Sequence, residues 1–163
     1  MTTELEVRAA LASVTDPEIP VVTIEDLGVL RGVNVDGEAI VVTITPTYSG
    51  CPAMKTITTD ITTALAQHGW HDVTVRTVLS PAWTTEWVSE AGRRALREFG
   101  IAPPTICAGR PVPLQLGRRP ARPPCPQCGS GNTEELSRFA STSCKALWRC
   151  QDCREPFDHV KDH

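Results

Sequence analysis

The chain has 163 residues with a formal net charge of -3, enough for one medium domain plus a small module. No run is long enough to cross a bilayer, and residues 1–8 lack a basic segment followed by an apolar stretch, so a soluble cytoplasmic protein with reduced thiols is expected. Residues 1–100 carry 7 basic and 13 acidic side chains, residues 101–124 carry 4 and none, and residues 125–163 carry 5 and 6. No region concentrates the basic stripe that a phosphate backbone requires, which argues against a nucleic-acid partner.

Thr2 and Thr3 before Glu4, followed by Leu5, Val7, Ala10, Leu11 and Val14, predict a capped first helix with one apolar face, ended by Asp16-Pro17. Asp16-Pro17-Glu18-Ile19-Pro20 cannot be helical, because each proline lacks a donor and blocks its predecessor. Val29, Val33 and Val35 alternate with polar or small residues, Asp36-Gly37 offers a type I′ turn, and Ile40, Val42 and Ile44 resume the alternation. This predicts a hairpin whose second strand is central. After the loop from Pro46 to Pro52, apolar residues at Met54, Ile57, Ile61, Ala64 and Leu65 keep helical spacing until Gly69. Residues 72–79 read as a third strand with Val73, Val75 and Leu79 on one face. A strand–helix–strand succession favours a right-handed crossover, so this strand should run parallel to the hairpin sheet. Thr84 or Thr85 can cap a last helix through Trp87, Val88, Ala91, Ala95, Leu96 and Phe99, ended by Gly100.

The expected fold is therefore α/β, a small mixed sheet with order αββαβα over residues 1–100. Residues 101–124 hold seven of the chain's fourteen prolines and read as a linker or strap. Residues 125–163 hold five of its seven cysteines. Within them Cys125-Pro126-Gln127-Cys128 and Cys150-Gln151-Asp152-Cys153 are two CxxC knuckles with 21 residues between them, close to the spacing of a four-cysteine zinc ribbon. Zinc with a structural role is the default ion, because a piece this small buries too little surface to fold without a staple. A tetrathiolate also accepts rubredoxin-like iron or a transient iron-sulfur centre.

Cys51 lies between a strand and a helix, in Thr45-Pro46-Thr47-Tyr48-Ser49-Gly50-Cys51-Pro52. With Pro52 as the first helical residue, Cys51 or Gly50 would be the cap, where backbone donors and the helix dipole stabilise a thiolate. The alternative is a small buried residue at a tight turn. Asp16, Glu18, Glu25 and Asp26 could reach the same end of the sheet to ligate a metal or hold a proton, or could serve only as helix breaker and turn former. Cys144 is either a fifth thiol near the ribbon site or a bystander. Cys107 has no evident partner, and His159 and His163 read as exposed. Trp83, Trp87 and Trp148 read as core or packing residues, since no basic residues interleave them. His68 and His71 fall at the far end of the helix that Cys51 opens, so Cys51 has no histidine base for nucleophilic catalysis.

Asp16-Pro17-Glu18-Ile19-Pro20, Asp26-Leu27-Gly28 and Ser49-Gly50-Cys51-Pro52 resemble the iron-sulfur assembly domain shared by SufT-like proteins and the MMS-nineteen-interacting cytosolic assembly factors. Further on, the chain is similar to one narrower group, the PaaD (PaaJ) family associated with the phenylacetyl-CoA ring-epoxidising oxygenase. That likeness is carried by Ser80-Pro81-Ala82-Trp83-Thr84-Thr85-Glu86-Trp87, by Gly92-Arg93-Arg94 with Pro104, and by Ser141-Thr142-Ser143-Cys144-Lys145-Ala146 and Glu155-Pro156-Phe157 around the knuckles. The resemblance implies an accessory factor for the oxygenase and reductase subunits in aerobic phenylacetate catabolism, acting with iron-sulfur assembly proteins. It implies a functional thiol at Cys51 and makes Cys144 a second candidate. A non-catalytic structural or regulatory subunit of the oxygenase is the alternative, and a homodimer through the sheet edge is left open.

Overall fold

The computed structural model describes residues 2–105 and 122–162. Its contacts divide the chain into two compact units, Met1–Gly92 and Arg93–His163.

The first unit begins with α1 (Glu4–Leu11), whose capping box is complete: the Thr3 hydroxyl accepts from the Glu6 N–H, and the Glu6 carboxylate accepts from the Thr3 N–H. Such a box satisfies two of the donors that every helix start leaves open. Val7, Ala10 and Leu11 face inward, whereas Leu5 is 77% exposed and off the apolar face. The helix stops well before Asp16-Pro17. Asp16 does not break it but shapes the proline loop, its Oδ1 accepting from the Glu18 and Ile19 N–H groups at 2.8 and 2.9 Å. Thr15 bridges Thr23 across that loop.

Strands β1 (Leu30–Asp36) and β2 (Ala39–Ile44) form the hairpin, with Asp36 opposite Ala39. The two turn residues are thus Gly37 and Glu38, and only Gly37 has positive φ, at 63°. A type I′ turn needs positive φ at both positions, so the expected I′ turn is replaced by the pattern of a II′ turn with glycine first. Helix α2 (Ala53–Gln67) then crosses over to β3 (Val73–Thr77), which runs parallel to β2, giving the order β1-β2-β3. β2 is central as expected, and Ile40, Val42 and Ile44 are buried. β3 ends at Thr77, and Leu79 is 63% exposed rather than sharing the face of Val73. α1 lies against α2 and β1, and α2 against β3. The resulting two-layer core contains Leu11, Ile57, Ile61 and Leu65, each fully or almost fully buried.

The last part of this unit folds back over the Asp26-Leu27-Gly28 corner. Trp83 is buried and its indole N–H donates to the Leu27 carbonyl at 2.9 Å, while the Arg31 guanidinium lies 3.4 Å above the Trp87 ring centre. Gly28 has φ +76°, and a Cβ there would meet the Trp87 Cβ at 2.5 Å, so the corner admits only glycine. The final helix does not start at Thr84 or Thr85. A short 3-10 turn, Thr85–Trp87, is followed by an extended Val88, and Ser89 accepts from the Gly92 N–H as α3 (Glu90–Phe99) begins. Ser89 also donates to the Asp26 carboxylate, and its N–H to the Asp26 carbonyl at 2.8 Å.

The second unit is built on an antiparallel sheet, β4 (Thr133–Ser137), β5 (Lys145–Cys150) and β6 (Pro156–Val160), in that order. Of the stretch read as linker, residues 101–105 join this sheet: Ala102 pairs in parallel with His159, and the Thr105 N–H donates to Asp162. The buried Arg93 donates to the Pro104 carbonyl. Residues 106–121, Cys107 among them, lie outside the described residues, as does His163. The buried cluster is small: Ala102, Cys125, Ala146, Trp148, Cys150 and Phe157. No helix among the described residues is long and apolar enough to cross a membrane.

Candidate metal centre and the Cys51 loop

The two knuckles bring four sulfurs together. Cys125 and Cys153 are 3.7 Å apart, Cys128 and Cys150 are 3.6 Å apart, and all four lie within 4.8 Å of one another. A tetrahedron with metal–sulfur bonds of about 2.3 Å has edges of about 3.8 Å, so the cage fits one ion of that kind. Each knuckle closes in the same way. The residue after its second cysteine turns left-handed, Gly129 at φ 75° and Arg154 at φ 68°, and the next backbone N–H, of Ser130 or Glu155, donates to that cysteine's sulfur.

The electrostatics of the cage call for a cation. The Cys153 N–H, opposed by desolvation and aided by the Asp152 N–H, holds Cys150 down to about 7. At Cys153 the Glu155 N–H favours the thiolate, yet desolvation and the three neighbouring sulfurs push the thiol up to about 12. Four thiolates at such distances repel one another, and a divalent ion removes the conflict. The outer wall is tied by Asp152, which accepts from Ser130 and from Asn132. These four cysteines are a metal-binding site, and among the described residues they are the one group of three or more ligand side chains that converges.

Cys144 does not join them. It stands just before β5 while Cys150 ends that strand, which separates them by about 20 Å at the rise of an extended chain. Its sulfur lies 3.1 Å from the Thr142 hydroxyl, and its carbonyl accepts from the Lys161 N–H.

Cys51 sits between β2 and α2, half-buried. The residue at the helix cap is Pro52, and it supplies no side-chain hydrogen bond. The Cys51 N–H donates to the Tyr48 carbonyl at 3.2 Å, and its sulfur accepts from the Ala53 N–H and the Thr47 hydroxyl. The start of α2 thus reaches the sulfur as expected, but the thiolate is not favoured. Burial raises the pKa against the pull of the Ala53 N–H, and the carboxylates of Glu18 and Asp16 add to the rise. Of the loop acids, then, Asp16 and Glu18 act on the thiol, whereas Asp26 is engaged with Thr23 and Ser89 at the glycine corner. Glu25 pairs with Arg8. His68 caps the distant end of α2 and stacks on Trp70 at 5.5 Å.

His159 is not the exposed histidine expected from sequence. It is 6% exposed, stands edge-on to Trp148 at 6.2 Å, and burial lowers its pKa despite the charge of Asp162. The one local signal for its place on β6, opposite Ala146, is the alternation of Phe157 and His159, which does not by itself give the strand a register.

Residues 4–77 match the iron-sulfur cluster assembly protein family, and residues 109–161 match the PaaD zinc beta ribbon domain. The chain is 47% identical over 156 residues, 96% of its length and 91% of the relative's, to an Escherichia coli K12 protein provisionally named as a subunit of 1,2-phenylacetyl-CoA epoxidase. It is 34% identical over 101 residues, 61% of its length and 92% of the relative's, to an Fe-S protein maturation auxiliary factor of Porphyromonas gingivalis W83. The crystal structure of a DUF59 domain from Bacillus anthracis matches with a TM-score of 0.54 and 32% identity, over 57% of this chain and 90% of that one.

Proposed function

The chain belongs to the PaaD family, which joins an iron-sulfur assembly domain to a zinc ribbon, and from that premise we propose that it is an accessory factor for loading or maintaining a metallocentre of a phenylacetyl-CoA oxygenase system. The ribbon holds a structural zinc and recognises the client protein. Cys51 is the transient ligand of the iron or cluster in transit. The name of the E. coli relative supports the client, and the maturation role of the P. gingivalis relative supports the task.

The observation that carries this reading is the charge around Cys51. Burial disfavours the Cys51 thiolate and the charges of Glu18 and Asp16 add to that, while the same two carboxylates lower the energy of a cation that reaches the sulfur. A metal ion that binds exchanges for the thiol proton, which leaves to solvent. One thiol with no second sulfur beside it among the described residues gives a weak site, and a carrier must release what it takes up.

The test is the Cys51→Ser chain produced together with the oxygenase and reductase. Its fold and ribbon metal should be unchanged, while the iron or cluster content of the partner falls. Full partner metallation in cells lacking this protein would reject the proposal. A second reading, a non-catalytic component of the assembled oxygenase, is favoured by the naming of the E. coli relative as part of the epoxidase. It predicts fixed-stoichiometry co-purification and rescue of an already metallated enzyme by added protein.

A further inference from the structure

Each knuckle of the ribbon has one buried and one exposed cysteine. Cys125 and Cys150 belong to the core cluster, whereas Cys128 and Cys153 face solvent. A bound ion therefore has its way out on the side of Cys128 and Cys153, and it leaves when the two knuckles part there. On that exposed side a side-chain bridge joins them. The Asp152 carboxylate accepts from the Ser130 hydroxyl with one oxygen and from the Asn132 amide, at 2.8 Å, with the other.

Both ends of the bridge reach the sulfurs through the main chain. The Ser130 N–H donates to the Cys128 sulfur, and the Ser130 carbonyl accepts from the Cys125 N–H at 2.8 Å. The Ser130 hydroxyl is itself held by the Asn132 N–H at 3.0 Å. Across the gap the Asp152 N–H donates to the Cys150 sulfur, and Asp152 directly precedes Cys153. One carboxylate thus links the backbone that holds the first pair of sulfurs to the backbone that holds the second. Groups hydrogen-bonded around metal ligands orient them and govern how firmly the ion is kept.

Neither charge nor sheet register accounts for an acid at this position. A divalent ion on four thiolates keeps a net negative charge, which a neighbouring carboxylate makes worse. The strands are already in register without it, since Thr133 pairs with Cys150 and the Gln151 N–H donates to the Asn132 carbonyl at 2.8 Å. The hydrogen bonds to Ser130 and Asn132 are what the carboxylate contributes, and bonds to an ionised acceptor are the stronger kind.

We infer that Asp152 is a positioning residue of the metal site, its carboxylate tying the second knuckle to the turn of the first so that Cys128 and Cys153 stay closed over the ion and its release is slow. The inference concerns the four-sulfur site and does not depend on transient binding at Cys51.

The test uses the full zinc-loaded chain and times zinc release to an excess of chelator. Release should be about tenfold faster in Asp152→Ala, the lower end of what groups behind metal ligands contribute. Ser130→Ala should quicken it too, and combining the two should add little, because the same bridge is lost once. Asp152→Asn separates the bridge from charge: a broken bridge quickens release, whereas relief of repulsion from the cage would slow it. With cobalt in place of zinc, the thiolate–cobalt absorption should change in Asp152→Ala while one ion per chain still binds. Ser137→Ala is the control, since it removes exposed hydrogen bonds of Ser137 with Phe139 at the other end of β4, and its release should match the parent chain. Release in Asp152→Ala within about twofold of the parent, well short of the range for such groups, overturns the inference. So does slower release in Asp152→Asn, or equal acceleration in Ser137→Ala.

Discussion

Sulfur is used in opposite ways in the two units. In the ribbon, Cys125 and Cys150 are themselves two of the six residues of the buried cluster, so the metal site and the core are one structure. In the N-terminal unit the core is aliphatic, built on Leu11, Ile57, Ile61 and Leu65, and Cys51 lies outside it in a loop with two carboxylates near its thiol. A fold that needs its metal cannot give the metal away. A fold that does not can place a lone thiol in a loop, and under the function proposed above this difference would divide structural from transient binding within one chain.

Removing the ribbon metal should have the largest effect. Chelation, or Cys150→Ser, should unfold residues 122–162, because structural zinc contributes about 10–16 kcal/mol to small metal domains near neutral pH. Amide resonances of the ribbon should collapse to unfolded positions while those of α2 and β2 persist. Joint collapse of both sets would show that the units do not fold separately and would break the comparison.

The reciprocal change is Ile61→Ala in the aliphatic core. It deletes fully buried methylenes and should cost about 2–5 kcal/mol in denaturant unfolding of the N-terminal unit, with metal content and ribbon resonances intact. Next in size is Gly28→Ala. The new Cβ would meet Trp87 at 2.5 Å on a backbone at φ +76°, so a loss of about 1–3 kcal/mol is expected from strain and displaced packing. Urea unfolding measures it, and a change under about 0.5 kcal/mol would show that the corner is not rigid.

Much of this contrast is legible in the residues alone. The order αββαβα, the central β2 and the parallel β3 follow from periodicity and from crossover handedness, and the four sulfurs follow from CxxC spacing. Long-range matters are not legible in this way. Nothing local in Trp83 says that its indole closes on the Leu27 carbonyl 56 residues earlier, nor that Ser89, held by Asp26 from 63 residues earlier, rather than Thr85 caps α3. The turn departs from expectation because Asp36-Gly37 carries the I′ signature while the pairing of Asp36 with Ala39 moves the corner on by one residue. The charge state of Cys51 departs from it too. A helix start favours a thiolate, but burial and two loop acids that fold back from residues 16 and 18 outweigh it.

That last point yields the finest test. In a Cys107→Ser, Cys144→Ser background with zinc protecting the ribbon, iodoacetamide should react with Cys51 more slowly at pH 7 than with a cysteine in a peptide. The rate should rise only above the ordinary thiol range, about 8.5, because alkylation follows the thiolate. The sign extends to stability: above that range the unfolded chain holds fewer protons at this site than the folded one, so Cys51 lowers stability as pH rises. Glu18→Gln removes one of the charges that resist ionisation, so it should speed alkylation at neutral pH and shift stability by no more than about 0.5 kcal/mol. It should also weaken association of a divalent cation with the thiol, since the carboxylate that repels a thiolate attracts the metal. Opposite movements of alkylation and metal association in this one variant separate an electrostatic role for Glu18 from a steric one, which would move both the same way.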